Sequence, residues 1–261
     1  MPARAADVVP LHHRAEGSGP AVLLGASLGT TLSLWDRLAA ELARDFRVVR
    51  FDTRGHGGSP APEGAYTVEG LAADVLALAD RLEVERFGYV GISLGGAIGQ
   101  MLALEHPARL TSLVLCSTAP VFGEPATWRD RAAQVRAGGL DALVEPTAQR
   151  WFTERFRAQH PDTVDAVMSM FRATPPDGYA GCCDALATYD VTGRLDKIST
   201  PTRVVAGADD PGTPPSAGEQ LAASIPYADL VVLPDAAHIT NLAQPQAFHA
   251  AVRAHLDATA R

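Results

Sequence analysis

An α/β architecture, with a mostly parallel sheet covered by helices on both faces and a helical lid insertion, is predicted by three observations. Short apolar runs rich in Val, Leu and Ile alternate with helical patterns along most of the chain. The alternation stops between about 119 and 196, where helical patterns continue without a convincing strand. One serine, Ser93, lies between two near glycines where an apolar run meets a helical pattern.

The strand candidates are AVLLG at 21–25, RVVRF at 47–51, FGYVGI at 87–92, LTSLVLC at 110–116, TRVVAG at 202–207 and DLVVLP at 229–234. Unbroken apolar runs of this length suit strands buried on both faces. Helical patterns fall at 34–44, 67–82, 95–105, 214–224 and 244–258. Thr67-Val68-Glu69 and Thr213-Pro214-Pro215 read as helix starts, each with a capping hydroxyl and an early acid or Pro. The stretch 119–196 is too long for one crossover, so it is expected to be a helical cap over the sheet's C-terminal edge, where open α/β folds bind ligands. The core is then 1–118 together with 197–261, with the lid at 119–196.

The chain of 261 residues is 47% hydrophobic and 20% charged, enough for a sizeable core. Its formal charge of −8 argues against non-specific nucleic-acid binding. It also means that an anionic substrate needs a local cation in the pocket. Three cysteines, Cys116, Cys182 and Cys183, make a poor disulfide framework, and the first residues carry no apolar stretch long enough for a signal peptide. The expectation is a cytoplasmic protein that meets no membrane. No metal or organic cofactor is expected, since no metal-ligand spacing or dinucleotide fingerprint occurs. Oligomeric state is not legible here.

Gly91-Ile92-Ser93-Leu94-Gly95 fits G-x-S-x-G between a strand and a helix. Such a turn is sharp, so its serine is strained and exposed at the strand's C-terminal end, and its neighbours must be small. A serine hydroxyl is a weak nucleophile unless a base takes its proton and a carboxylate orients the base. In this chain order the acid and then the histidine follow the serine. Of eight histidines, His238 in VVLPDAAHITN follows the last strand candidate and is the expected base. His56 in FDTRGHGGS is the rival but precedes the serine, and it reads as a loop residue in a Gly-rich turn. His249 and His255 look like surface positions on the last helix. Asp210 in VVAGADDPGTP is the expected acid, ahead of Asp209 and, third, Asp235. The oxyanion hole is expected from the backbone N–H of Leu94 and that of Ser27, with Leu28 as neighbour, in the loop LLGASLGTT.

Taken together, these segments resemble the α/β-hydrolase superfamily over essentially the whole chain. Within it, SLGTTLSLWD, DTRGHGGSPAPEGAYTVEGLAADV, RWFTERF, DGYAGCCDAL and AHITNL resemble 3-oxoadipate enol-lactonases. Gly25-Ala26 stands where many relatives carry His-Gly, which fits the lactonase group. That resemblance implies hydrolysis of a small anionic lactone, without cofactor, and substrate contact at Trp128 and Arg131 in a Trp-x-x-Arg element of the lid. Spacing of i, i+3 puts both on one helix face, and a cation suits the lactone's acetate arm. The competing readings are a carboxylesterase, a carbon–carbon-bond hydrolase or a perhydrolase of the same fold, or a receptor that retains ligand on a hydrolase scaffold.

Overall fold

Seven strands make one sheet in the order β1-β3-β2-β4-β5-β6-β7 in a computed structural model that describes residues 8–259. The strands are β1 (His13–Glu16), β2 (Ala21–Gly25), β3 (Arg47–Phe51), β4 (Phe87–Ile92), β5 (Leu110–Cys116), β6 (Thr202–Gly207) and β7 (Asp229–Leu233). All neighbours run parallel except β1, which lies antiparallel on β3. No strand is expected at β1, because HRAE has no apolar signal. Its pairing with β3, from His13↔Phe51 to Glu16↔Val48, makes it a strand. Residues 1–7, on which part of the signal-peptide expectation rests, lie outside the described residues.

The central strands are buried on both sides, and their alternation separates two helical layers. A side chain on Gly88 would meet Leu256, whereas Tyr89 packs against Gly99. The Leu256 side is covered by α1 (Asp36–Leu42) and α11 (Pro245–Thr259), the Gly99 side by α2 (Val68–Arg81) and α3 (Leu94–Glu105). Thr67 caps α2 as expected, its hydroxyl accepting the Gly70 N–H at 3.1 Å. His249 and His255 depart from the surface reading. Both are buried, with His249 Nδ1 2.7 Å from Glu41 and His255 Nε2 3.1 Å from the Pro201 carbonyl. An apolar stripe on α11 wide enough to seal the sheet takes these two in with it.

Between β5 and β6 the chain is helical: α4 (Pro125–Gly138), α5 (Val144–Trp151), α6 (Glu154–Gln159), α7 (Pro161–Arg172) and α8 (Pro176–Thr188). The two ends of this excursion meet in one isolated antiparallel bridge, Val121↔Asp190, and the Val191 N–H donates to the Pro120 carbonyl at 3.0 Å. Helix α8 buries Cys182 and Cys183 and rests on the core at Gly178. There the backbones touch: a Cβ on Gly178 would stand 2.2 Å from the Gly55 oxygen. The remaining helices are α9 (Pro215–Ser224), behind β6 and β7, and the single turn α10 (Thr240–Ala243). Among the described residues no helix is long and apolar enough to cross a membrane.

The sheet reverses its winding between β2 and β4. From β2 the chain steps outward to β3, then returns to lay β4 on the other side of β2, with Gly25 opposite Gly91. Loops leaving the C-terminal ends of these two strands diverge and leave a crevice between them. Ser27 follows β2, Ser93 follows β4, Asp210 follows β6 and His238 follows β7, all at that same edge.

Gly178→Ala should therefore cost about 1–3 kcal/mol of stability by forcing the two backbones apart. Thermal unfolding measures it, with Gly193→Ala, which meets nothing within 4 Å, as the comparison expected to stay near wild type.

Candidate active site

Ser93 sits at φ 57°, ψ −116°, between the end of β4 and the first turn of α3. A non-glycine residue there carries about 1–3 kcal/mol of backbone strain, which the surroundings must over-determine. They do so by crowding. A Cβ on Gly91 would lie 2.2 Å from the Gly95 oxygen, and one on Gly95 would lie 2.2 Å from the Gly25 oxygen. The Ser93 N–H donates to Cys116 O at 2.9 Å, and the Thr118 hydroxyl donates to Ser93 O at 2.9 Å. The backbone is clamped from both sides. Among the described residues the Ser93 hydroxyl itself has no hydrogen-bond partner.

His238 and Asp210 lie in the loops after β7 and β6, joined by a 2.8 Å hydrogen bond between Nδ1 and Oδ2. Both are buried. The carboxylate can only accept, so Nδ1 carries the proton and Nε2 keeps its lone pair. Asp210 also accepts from the Gly212 N–H at 2.8 Å, the Thr213 N–H at 3.1 Å and the Thr213 hydroxyl at 2.6 Å. Burial alone would push its carboxyl up. Interaction with His238 and the two Thr213 donors outweighs burial and holds it below the ordinary carboxylate value. This corrects the expectation that Thr213 caps a helix. The N-cap of α9 is Pro214, without a side-chain bond, and the Thr213 hydroxyl goes to Asp210 instead. Asp209 and Asp235 are exposed, and Asp235 pairs loosely with Arg155 at 3.4 Å. On the open side of the imidazole, the Trp151 ring stacks at 6.3 Å between centroids.

The loop after β2 is pinned at three points. Ala26 O accepts the Gly95 N–H at 3.1 Å, the Gly29 N–H donates to His56 Nε2 at 2.8 Å, and the Leu32 N–H donates to Asp52 at 2.7 Å. Between them Ser27 O takes both the N–H and the hydroxyl of Thr30. No carbonyl among the described residues accepts the N–H of Ser27 or of Leu94, the first residue of α3. His56 is fully buried, its Nδ1 donating to the Arg54 carbonyl at 3.1 Å while Nε2 accepts from Gly29. Both nitrogens are thus spent on backbone. Burial holds its pKa below the ordinary 6.5, in the neutral form this pair of bonds requires.

A cavity of about 270 Å³ opens over these groups, with Ser27, Leu28, Ser93 and His238 among its walls. Helices α4 and α5 supply the opposite wall. Trp128 and Arg131 share one face of α4, with the guanidinium 4.9 Å from the indole centroid, and the Trp128 N–H donates to the Phe122 carbonyl. Among the lining residues that the sequence does not single out are Tyr179 on α8, whose ring meets Phe171 edge-on at 5.4 Å, and Arg150 on α5. The only local signal for Arg150 is its place beside Trp151 in RWF. Among the described residues no group of three His, Cys, Asp or Glu side chains could hold a metal ion.

A strand–serine–helix turn at a sheet's switch point, with an Asp–His pair beside it, defines a hydrolase of the α/β type. The family described as alpha/beta hydrolase fold matches residues 20–245, and the chain belongs to it. The chain is 41% identical to 3-oxoadipate enol-lactonase 2 of Acinetobacter baylyi, over 90% of its own length and 88% of the relative's. Among solved structures it is similar to the enol-lactonase from Burkholderia xenovorans, with TM-score 0.93 and 38% identity over 95% of this chain and 97% of that one. A thermophilic esterase from Thermogutta terrifontis, solved with malate bound, also superposes with TM-score 0.93, at 30% identity over 97% and 95% of the two chains.

His56 stays neutral in the fold while an unfolded chain protonates it below 6.5. Below that pH the unfolded state binds the extra proton, so the stability His56 contributes is present above 6.5 and lost on acidification. Denaturant unfolding between pH 5 and 7 should show stability rising with pH more steeply for wild type than for His56→Gln. Equal slopes would mean that His56 does not change protonation on folding.

Proposed function

We propose that this hydrolase opens 3-oxoadipate enol-lactone to 3-oxoadipate with Ser93, His238 and Asp210 as its triad, residues 119–196 serving as the lid. The observation that carries the reading is one cavity lined together by His238, which Asp210 holds, by a strained serine and by an arginine held on an indole. The two enol-lactonase relatives support the choice of lactone over a plain ester.

In this reading His238 Nε2 takes the proton from Ser93 as Oγ attacks the lactone carbonyl carbon. Asp210 orients the imidazole and stabilises the cation that forms. The carbonyl oxygen becomes an oxyanion, held by the free N–H groups of Ser27 and Leu94 and by the positive end of α3. Collapse breaks the ring C–O bond. The enol oxygen leaves with the proton from His238, and the acyl group stays on Ser93. The enol then shifts to the ketone, which draws the ring opening forward. Water, giving its proton to His238, attacks the acyl carbon and releases the second carboxylate, while Ser93 recovers its proton. Arg131 receives the acetate arm with charge-assisted hydrogen bonds, and Trp128 holds that guanidinium in place.

The test is ultraviolet loss of freshly generated enol-lactone compared with an uncharged ester. Wild type should turn over the lactone. Ser93→Ala should abolish turnover down to the residual of about 10³–10⁴-fold over water that binding and the oxyanion hole supply. Asp210→Asn should lower kcat by about 10⁴-fold, because Nδ1 would no longer be held as a donor. Arg131→Gln should raise KM for the lactone more than for the ester. Good ester hydrolysis without lactone turnover would keep the triad and overturn the substrate.

A further inference from the structure

About half of the arginines among the described residues are matched to carboxylates, among them Arg54 to Asp74 in the interior, Arg50 to Glu16 and Asp36 at the sheet edge, Arg203 to Asp229, and Arg136 to Asp184 on the lid's outer side. Arg131 and Arg150 are different. They come from separate helices, α4 and α5, line the same cavity, and among the described residues neither has a carboxylate within 4.0 Å. The acids near the cavity form no ion pair with them. Asp210 is saturated by His238, Thr213 and Gly212, and Glu124 is exposed on α4's leading edge.

Arg150 is also anchored close to the reacting groups. Its stem runs along the Asp210 loop, where a Cβ on Gly212 would stand 3.5 Å from Arg150 Cδ. The next residue, Trp151, stacks on His238, and its carbonyl accepts the Ile239 N–H at 3.2 Å. The end of α5 is thereby tied to the loop that carries the base. Arg131, on its Trp128 platform, lines the same cavity. Burial and the neighbouring Arg131 charge lower the pKa of Arg150 and outweigh Tyr179 and the Asp210 charge, which raise it. Such a pair is relieved when anions come between them. In a chain with net charge −8, two unmatched cations in one cavity are a local reversal of the whole surface.

We propose that Arg150 is a second carboxylate-binding residue, which with Arg131 makes the cavity a two-cation site for short dicarboxylates. This rests on the reading above and sharpens it. The lactone carries one carboxylate and its hydrolysis product two, so Arg131 keeps the arm while Arg150, on the triad side, meets the carboxylate that forms there. The product and its unreactive diacid analogues are then competitive inhibitors.

The probes are adipate and hexanoate, equal in chain length and differing by one carboxylate, tested as inhibitors of hydrolysis of an uncharged reporter ester. Wild type should bind adipate at least about 10-fold more tightly, the value of one charge-assisted contact. Arg150→Gln should erase most of that ratio, and Arg150→Lys should restore part of it. Arg136→Gln removes the same charge from the lid outside the cavity and should leave the ratio alone. Equal inhibition by the two acids in wild type, or equal loss in Arg150→Gln and Arg136→Gln, would overturn the two-cation site. Because the reporter is a neutral ester, an enzyme that ignores the enol-lactone but shows the Arg150-dependent ratio would sink the lactonase reading alone. Fast lactone turnover without the ratio would sink only this inference.

Discussion

The structure depends on how closely three backbones approach at the ends of β2 and β4. Gly25, Gly91 and Gly95 leave no room for a side chain between them, and the Gly95 N–H closes the gap by donating to Ala26 O. That contact fixes α3 against the sheet. It holds Ser93 in a conformation that its own side chain disfavours, and it sets the loop after β2 so that the Ser27 and Leu94 N–H groups stay free of carbonyl partners. Three residues that contribute no side chain thus decide where a hydroxyl and two donors stand.

Behind that contact runs a polar chain that supports the same loop from below. Asp74 grips Arg54 through two 2.7 Å bonds and also accepts the Val9 N–H. The Arg54 carbonyl sets the tautomer of His56, and His56 receives Gly29. Asp52 completes it by taking the N–H groups of Leu32 and Gly58. The segment DTRGHG thus acts through residues that never line the cavity. Buried networks of this kind specify one geometry when every member is satisfied, and here both nitrogens of the key imidazole are.

Much of this was legible in the sequence, for reasons that differ by element. The parallel strands β2 to β6 announce themselves because burial demands apolar runs, and β7, an edge strand only partly buried, still carries one. β1 has one partner, is partly solvent-facing, and is written in polar residues, so only its neighbour defines it. The order serine, acid, histidine can be read because each follows a strand. What Thr213 does could not be read, since a threonine before two prolines looks like a cap whether its hydroxyl serves a helix or a carboxylate. His249 and His255 look exposed because polarity stands in for exposure in a sequence, and their partners, Glu41 and Pro201, are far away along the chain. Arg150 hides for a similar reason. Nothing local marks an arginine that no carboxylate meets.

The bridge between Val121 and Asp190 brings the start and finish of the helical excursion side by side at one edge of the sheet. The chain therefore leaves the core and rejoins it at nearly one point, so the intervening helices form a cassette whose replacement leaves the strand order undisturbed. Ser93, Asp210 and His238 stay with the strands while Trp128, Arg131 and Arg150 travel with the cassette. One wall of the cavity is thus written in a single contiguous stretch of sequence, while the other is assembled from loops that follow strands far apart along the chain.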